Sequence, residues 1–297
     1  QLAWAMDRSR AMQEPLPREA KINSYPEVFQ VEKRKFLVVI DPSHERHLAV
    51  ERMIDILEQG AEWPLEFHLL IGFESADKAD PNTPQEVVRS TDWFDRLLKP
   101  LKDSGADFST EFFWTRNWRQ SIQEAAERYV CDTIMLCESS AEHKRGITDS
   151  KWDLVRHARS DVVICDEGTT GPYKCVLAAV NVQAKDPVHV EMNEKIFERG
   201  QFLAEYFGAD YHVVNAYKDS EDFPDRGLIG RMSGLPRENI HRDMGKPEEV
   251  ISAVAEKVEA DMIVLGISQR SGLSARFSSH TTEKVMERVD IDVVALN

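Results

Sequence analysis

Basic residues are in short supply. The 37 Lys and Arg face 52 Asp and Glu, a formal net charge of −15. Nucleic-acid binding needs a basic surface that displaces counterions from phosphates, so this balance excludes that class, and it opposes docking on an anionic membrane. Long apolar runs are also missing: none reaches the roughly 20 residues of a membrane-spanning helix. Cysteine is sparse, and Cys131, Cys137, Cys165 and Cys175 form neither a CxxC nor a zinc-ribbon spacing. Cys137, Cys165 and Cys175 lie in or beside apolar strand patterns, where cysteine packs as a small hydrophobe. Asp7, Arg8 and Arg10 interrupt any signal-peptide core, so the expected setting is a cytoplasm with reduced thiols. Several signatures are absent: Gly-x-Gly-x-x-Gly, the Walker-A loop and the Gly-x-Ser-x-Gly elbow.

What is present is a repeat. Ile122 to Cys137 reads IQEAAERYVCDTIMLC, and about 130 residues later Ile251 to Gly266 reads ISAVAEKVEADMIVLG. Both join a helical pattern to an apolar strand through a short acidic turn. The spacing is too long for a solenoid and has the size of a domain. The 297 residues suit two domains. Residues 1–33 read as an arm, with Leu2, Trp4, Met6 and Met12 at helical spacing and Pro15, Pro17 and Pro26 favouring an extended chain beyond them. A first domain then spans 34–167. Gly168-Thr-Thr-Gly-Pro172 punctuates a linker over 168–173, and a second domain spans 174–297.

In each domain short apolar strands alternate with amphipathic helices. The fold class expected is α/β: two tandem, open-twisted, parallel five-stranded sheets with helices on both faces. Phe36–Ile40 and Cys175–Val182 are the first strands, and Leu65–Phe73, Tyr211–Ala216, Met262–Leu265 and Asp292–Leu296 are among the others. Pro100 should kink or shorten the helix begun at Thr91. Gly208 should close a long helix over Val188–Phe207, and Thr281 or Thr282 should cap the last helix. Ligands of such sheets bind at the carboxyl ends of the strands, where strand order switches.

The residues at those places carry a resemblance. Phe36 to Ser43 (FLVVIDPS), Gly245 to Ile251 (GKPEEVI) and Ala260 to Leu296 are similar to the first strand, the third-helix start and the C-terminal signature of the universal stress protein family, in its tandem-domain E type. Ser150 to Arg156, followed by SDVVICD, resembles a degenerate first-domain version. The likeness runs from about residue 34 to 297. It implies a Rossmann-like, nucleotide-hydrolase-like sheet in each half and a pseudo-dimer joined through Val162–Cys165 and Val293–Leu296. A homodimer is the alternative assembly.

Members of this family that bind ATP use a loop G-x2-G-x9-G-[ST] and an aspartate at the end of strand one. Glycines let backbone amides approach phosphate, and a helix N-terminus holds the anion. Transferred by position, the second half keeps Gly266 but has Gln269, Ser279 and His280 at the other loop positions and Asn181 for the aspartate. The first half keeps Asp41 but has Cys137, Ser140 and Ser150 where the glycines would fall. Candidate nucleotide residues are therefore Asn181, Gly266, Ser268, Arg270, Gly272, Arg276, Ser278, Ser279, His280 and Thr281, with Asp41 and Cys137 as the first-domain equivalents. His44, His47 and His143 are the one set that could gather a metal.

The function expected is stress response through ligand sensing or partner binding rather than catalysis, with ATP or ADP and Mg in the second domain as the ligand the resemblance implies. The partner is a small molecule or a protein, with no nucleic acid and no membrane. One rival is a weak ATP hydrolase using the Gly266–Thr281 loop. Another is a binder of a non-nucleotide metabolite or hydrophobic ligand in the first domain.

Overall fold

The computed structural model of the chain describes residues 33–59, 64–74, 89–115, 117–137, 149–267 and 279–297. The expected arm falls outside these residues, as does most of the loop before Ser90. Five strands lead the described part: β1 (Arg34–Ile40), β2 (Leu65–Glu74), β3 (Asp107–Thr115), β4 (Thr133–Cys137) and β5 (Asp161–Cys165). They alternate with α1 (Leu48–Gln59), α2 (Thr91–Ser104), α3 (Trp118–Tyr129) and α4 (Asp149–His157). The order then recurs as β6 (Cys175–Val180), α5 (Pro187–Phe207), β7 (Asp210–Tyr217), α6 (Arg226–Ser233), β8 (Ile240–Met244), α7 (Pro247–Lys257), β9 (Met262–Gly266), α8 (Ser279–Met286) and β10 (Asp292–Leu296).

All ten strands belong to one sheet, ordered β3-β2-β1-β4-β5-β10-β9-β6-β7-β8. The second half mirrors the order of the first. Pairing is parallel within each half, and the two halves meet where β10 runs antiparallel to β5, with Val293 opposite Ile164 and Ala295 opposite Val162. Those are the segments named for the seam in the sequence. Central strands read as unbroken apolar runs because helices cover both faces: every residue of β6, CVLAAV, is buried. One face packs α1, α2, α5 and α6 around Val38, Met135, Val176 and Val294. The other packs α3, α4, α7 and α8 around Leu37, Ile134, Leu177 and Val293.

Local chemistry fixes the helix ends. Asp186 caps α5 by accepting the His189 amide, Pro187 opens the helix, and Gly208 closes it at φ 63°. Ser90 caps α2 in the same way. The expected shortening at Pro100 and the expected cap at Thr281 or Thr282 are both overturned. Helix α2 runs through Pro100 to Ser104, because Trp93, Leu97 and Leu101 bury one face that a break would expose. Helix α8 opens at Ser279, so Thr281 and Thr282 lie inside it, buried, instead of capping it.

Among the ion pairs that join the halves, two reach across to equivalent aspartates in opposite directions. Arg52 of α1 reaches Asp292 of β10 at 2.8 Å, and Arg199 of α5 reaches Asp161 of β5 at 2.6 Å. Asp161 and Asp292 hold equivalent places, each opposite the first residue of the strand beside it, Thr133 or Met262. The first pair is the more elaborate. Asp292 also accepts the Tyr173 hydroxyl at 2.6 Å and the Asp166 amide at 2.7 Å. The second Arg52 nitrogen donates to the carbonyls of Asp166 (2.9 Å) and Thr169. Gln59 completes the hold, accepting the Tyr173 amide at 2.7 Å and donating to the Phe207 carbonyl at 3.1 Å. Burial pushes the Asp292 carboxyl up, although Arg52 opposes this. The same carboxylate holds the Arg52 guanidinium more firmly charged than usual.

Candidate functional site

Strand order switches between β1 and β4 in the first half and between β6 and β9 in the second. Register relates the two crevices: Leu37 pairs with Ile134 as Leu177 pairs with Ile263. Asp41 therefore corresponds to Asn181, and Cys137 to Gly266.

In the first crevice Asp41 is exposed and closes its own turn, accepting the Ser43 amide at 2.8 Å. His44 stands 3.8 Å from it. His47 turns away to pack edge-on against Trp93, with ring centroids 5.4 Å apart, and burial lowers its pKa. The two histidines do not share a ligand face, and His143 is outside the described residues. Among the described residues no three His, Cys, Asp or Glu side chains gather in a metal-binding group. Arg89 clamps this loop through the carbonyls of Pro42 (2.5 Å) and His44 (3.1 Å). Cys137 accepts the Ala49 amide on its sulfur at 2.9 Å, and burial pushes its thiol up to about 11. That is the state of a packing residue, not of a nucleophile.

The second crevice is lined by neutral amides. Asn193 of α5 accepts the Asn181 amide and donates to the Asn181 carbonyl, both at 2.9 Å. Asn215 of β7 accepts the Val182 amide at 3.0 Å and donates to the Gln183 side chain at 2.9 Å. Asn181 and Asn193 are each 5% exposed, and Asn215 is fully buried. Gly266 ends β9 directly beneath α5. A Cβ placed there would lie 2.4 Å from Met192 Cγ and 2.5 Å from its sulfur, and 3.4 Å from Ile196. Glycine at this position admits Met192. Each crevice thus holds a sulfur atom, from Cys137 itself in the first half and from a neighbouring helix in the second.

Of the other candidates, Thr281 is buried in α8, and its neighbour Thr282 lies 3.5 Å from the Gly266 carbonyl. Ser279 and His280 open α8. Ser268, Arg270, Gly272, Arg276 and Ser278 lie outside the described residues. Sequence reading missed Met192, Asn193 and Asn215, whose roles depend on α5 crossing over β9. It also missed His189, whose Nδ1 sits 2.6 Å from Asp186 while its buried Nε2 has no hydrogen-bond partner among the described residues. Asp186, held ionised by that contact, can only accept, so the ring proton sits on Nδ1.

No helix among the described residues is long and apolar enough to cross a membrane. The sequence profile of the universal stress protein family matches residues 231–297. The chain is 23% identical to the universal stress protein E homolog of Haemophilus influenzae, over 89% of its own length and 97% of that protein's. It is 24% identical to universal stress protein E of Escherichia coli, covering 89% and 93%. In fold it is similar to a crystal structure described as a universal stress protein from Pseudomonas aeruginosa, with a TM-score of 0.71 and 23% identity over 89% of this chain and 92% of that one. Family signature, whole-length relatives and mirrored sheet agree: the chain is similar throughout its described length to the universal stress protein family, in the tandem form of its E type.

Proposed function

We propose that this stress-response protein works by binding rather than by turnover, and that its second half takes an adenine nucleotide weakly at the β6/β9 crevice. The observation that carries this reading is the kind of residue standing over Gly266. Met192 is unbranched and flexible, so it can swing aside at modest cost and leave the glycine backbone beside Asn181 open to an anion. The first crevice offers no such movable group, because Cys137 carries its own side chain into the equivalent space. Asn181 in place of a carboxylate removes a charge that would repel phosphate, at the cost of a strong acceptor for a ribose hydroxyl.

Titration calorimetry with ATP, ADP and Mg tests the proposal. Met192→Ala is expected to tighten binding by about tenfold, or ~1.4 kcal/mol. No heat at millimolar ligand in either protein removes the nucleotide reading. Phosphate release that vanishes in Gly266→Val or Arg270→Ala would replace it with hydrolysis.

A further inference from the structure

We infer that the seam between the halves holds a second binding site, for a small amphipathic carboxylate. A cavity of about 60 Å³ lies between α1 and α5, floored by the strands on either side of the β5–β10 junction. It sits at the amino ends of β1 and β4, away from the crevices at their carboxyl ends. Its floor includes Met135 and Val163, and its walls include Ile56, Phe202 and Leu203. Each water needs roughly 10–15 Å³ on this measure and two or more polar partners. A lining this apolar offers few partners, so the space favours an apolar occupant over water.

Charge at the rim selects the head group. Arg34, the first residue of β1, borders the cavity, and its guanidinium lies 5.7 Å from the centre of the Phe202 ring. Its nearest carboxylate, on Asp132, stands 3.9 Å away, and the Arg34 side chain is about a third exposed. Asp161 also acts on it through space, but among the described residues no carboxylate comes within hydrogen-bond distance of its five-donor fork, which suits a carboxylate or phosphate well. Arg199 also borders the cavity, but its 2.6 Å pair with Asp161 commits it to the seam. The occupant is therefore an apolar chain or ring system that ends in one anionic group, the chain between the helices and the anion at Arg34.

Calorimetry on the full chain with octanoate, octanol and octyltrimethylammonium tests this. Octanoate is expected to bind about tenfold more tightly than octanol, and the cation not detectably. Leu203→Trp, which fills the cavity, should abolish binding of both octanoate and octanol. Arg34→Gln leaves the cavity intact and should erase only the preference for octanoate. ATP should not compete, which separates this site from the β6/β9 crevice. Equal binding of octanoate and octanol to the unaltered protein, absence of binding, or octanoate affinity unchanged in both variants would overturn the inference.

Discussion

Arg52 and Arg199 pair with equivalent aspartates in unequal surroundings. Side-chain exposure is 3% and 0% for Arg52 and Asp292, but 24% and 15% for Arg199 and Asp161. Removing one partner of a buried pair leaves an uncompensated charge, which costs about 3–5 kcal/mol, whereas a wetter pair costs about 1 kcal/mol or less. Urea denaturation of Arg52→Ala and Arg199→Ala should show that asymmetry, and equal losses would contradict it. A second residue-scale effect concerns Val130 and Glu259, the corresponding positions of the two repeats. Both are left-handed, at φ 54° and 52°. A β-branched side chain is strained there, so Val130→Gly should raise stability by about 1 kcal/mol in the same assay. Acid adds a third. Burial lowers the pKa of His47, His212 and His241 below the ordinary imidazole value of about 6.5. The unfolded chain then binds more protons, so their stabilising effect is complete above about pH 6.5 and fades as pH falls through the folded values. Melting temperature should drop in this window. His241→Gln should flatten the drop, because His212 Nδ1 and His241 Nε2 meet at 3.1 Å. Some of this scale was legible in the sequence. Asp41, Asn181, Cys137 and Gly266 could be placed from strand ends together with the family resemblance. Arg52 could not, since its partner is 240 residues away and nothing local distinguishes the two.

At the scale of elements, strands and caps were readable because their causes are local: apolar runs, Asp or Ser before a helix, Gly after it. Pro100 defies its local rule because tertiary burial outweighs the lost hydrogen bond. Replacing it with Ala should therefore stabilise α2, by about 1–3 kcal/mol in chemical denaturation. The decisive element is α5. Its 21 residues against the 12 of α1 carry Met192 and Asn193 over the end of β9 and place Phe202 and Leu203 beside the seam cavity. Sequence marked the helix but not what it would cover, because that depends on its crossing of the sheet.

For the whole molecule, the family resemblance named Val162–Cys165 and Val293–Leu296 as the seam, and the structure pairs these strands there. The hold on the connecting segment, through Tyr173, Thr169 and Gln59, had no sequence signal. With one sheet, two shared cores and ion pairs crossing both ways, the halves should unfold together. Calorimetry is expected to give one transition whose van't Hoff and calorimetric enthalpies agree, and two resolved transitions would show that the halves are energetically separate.

Joining two sheets edge to edge also bears on solubility. Separate halves would present four open strand edges, each a template for pairing with another chain, whereas the continuous sheet leaves β3 and β8. β8 is five residues long and carries Arg242 and Asp243, and β3 carries Asp107 and Glu111. Short or charged edges resist addition of further strands. Pairing β5 with β10 thus turns two of those four borders into interior, an arrangement expected to resist aggregation independently of any ligand.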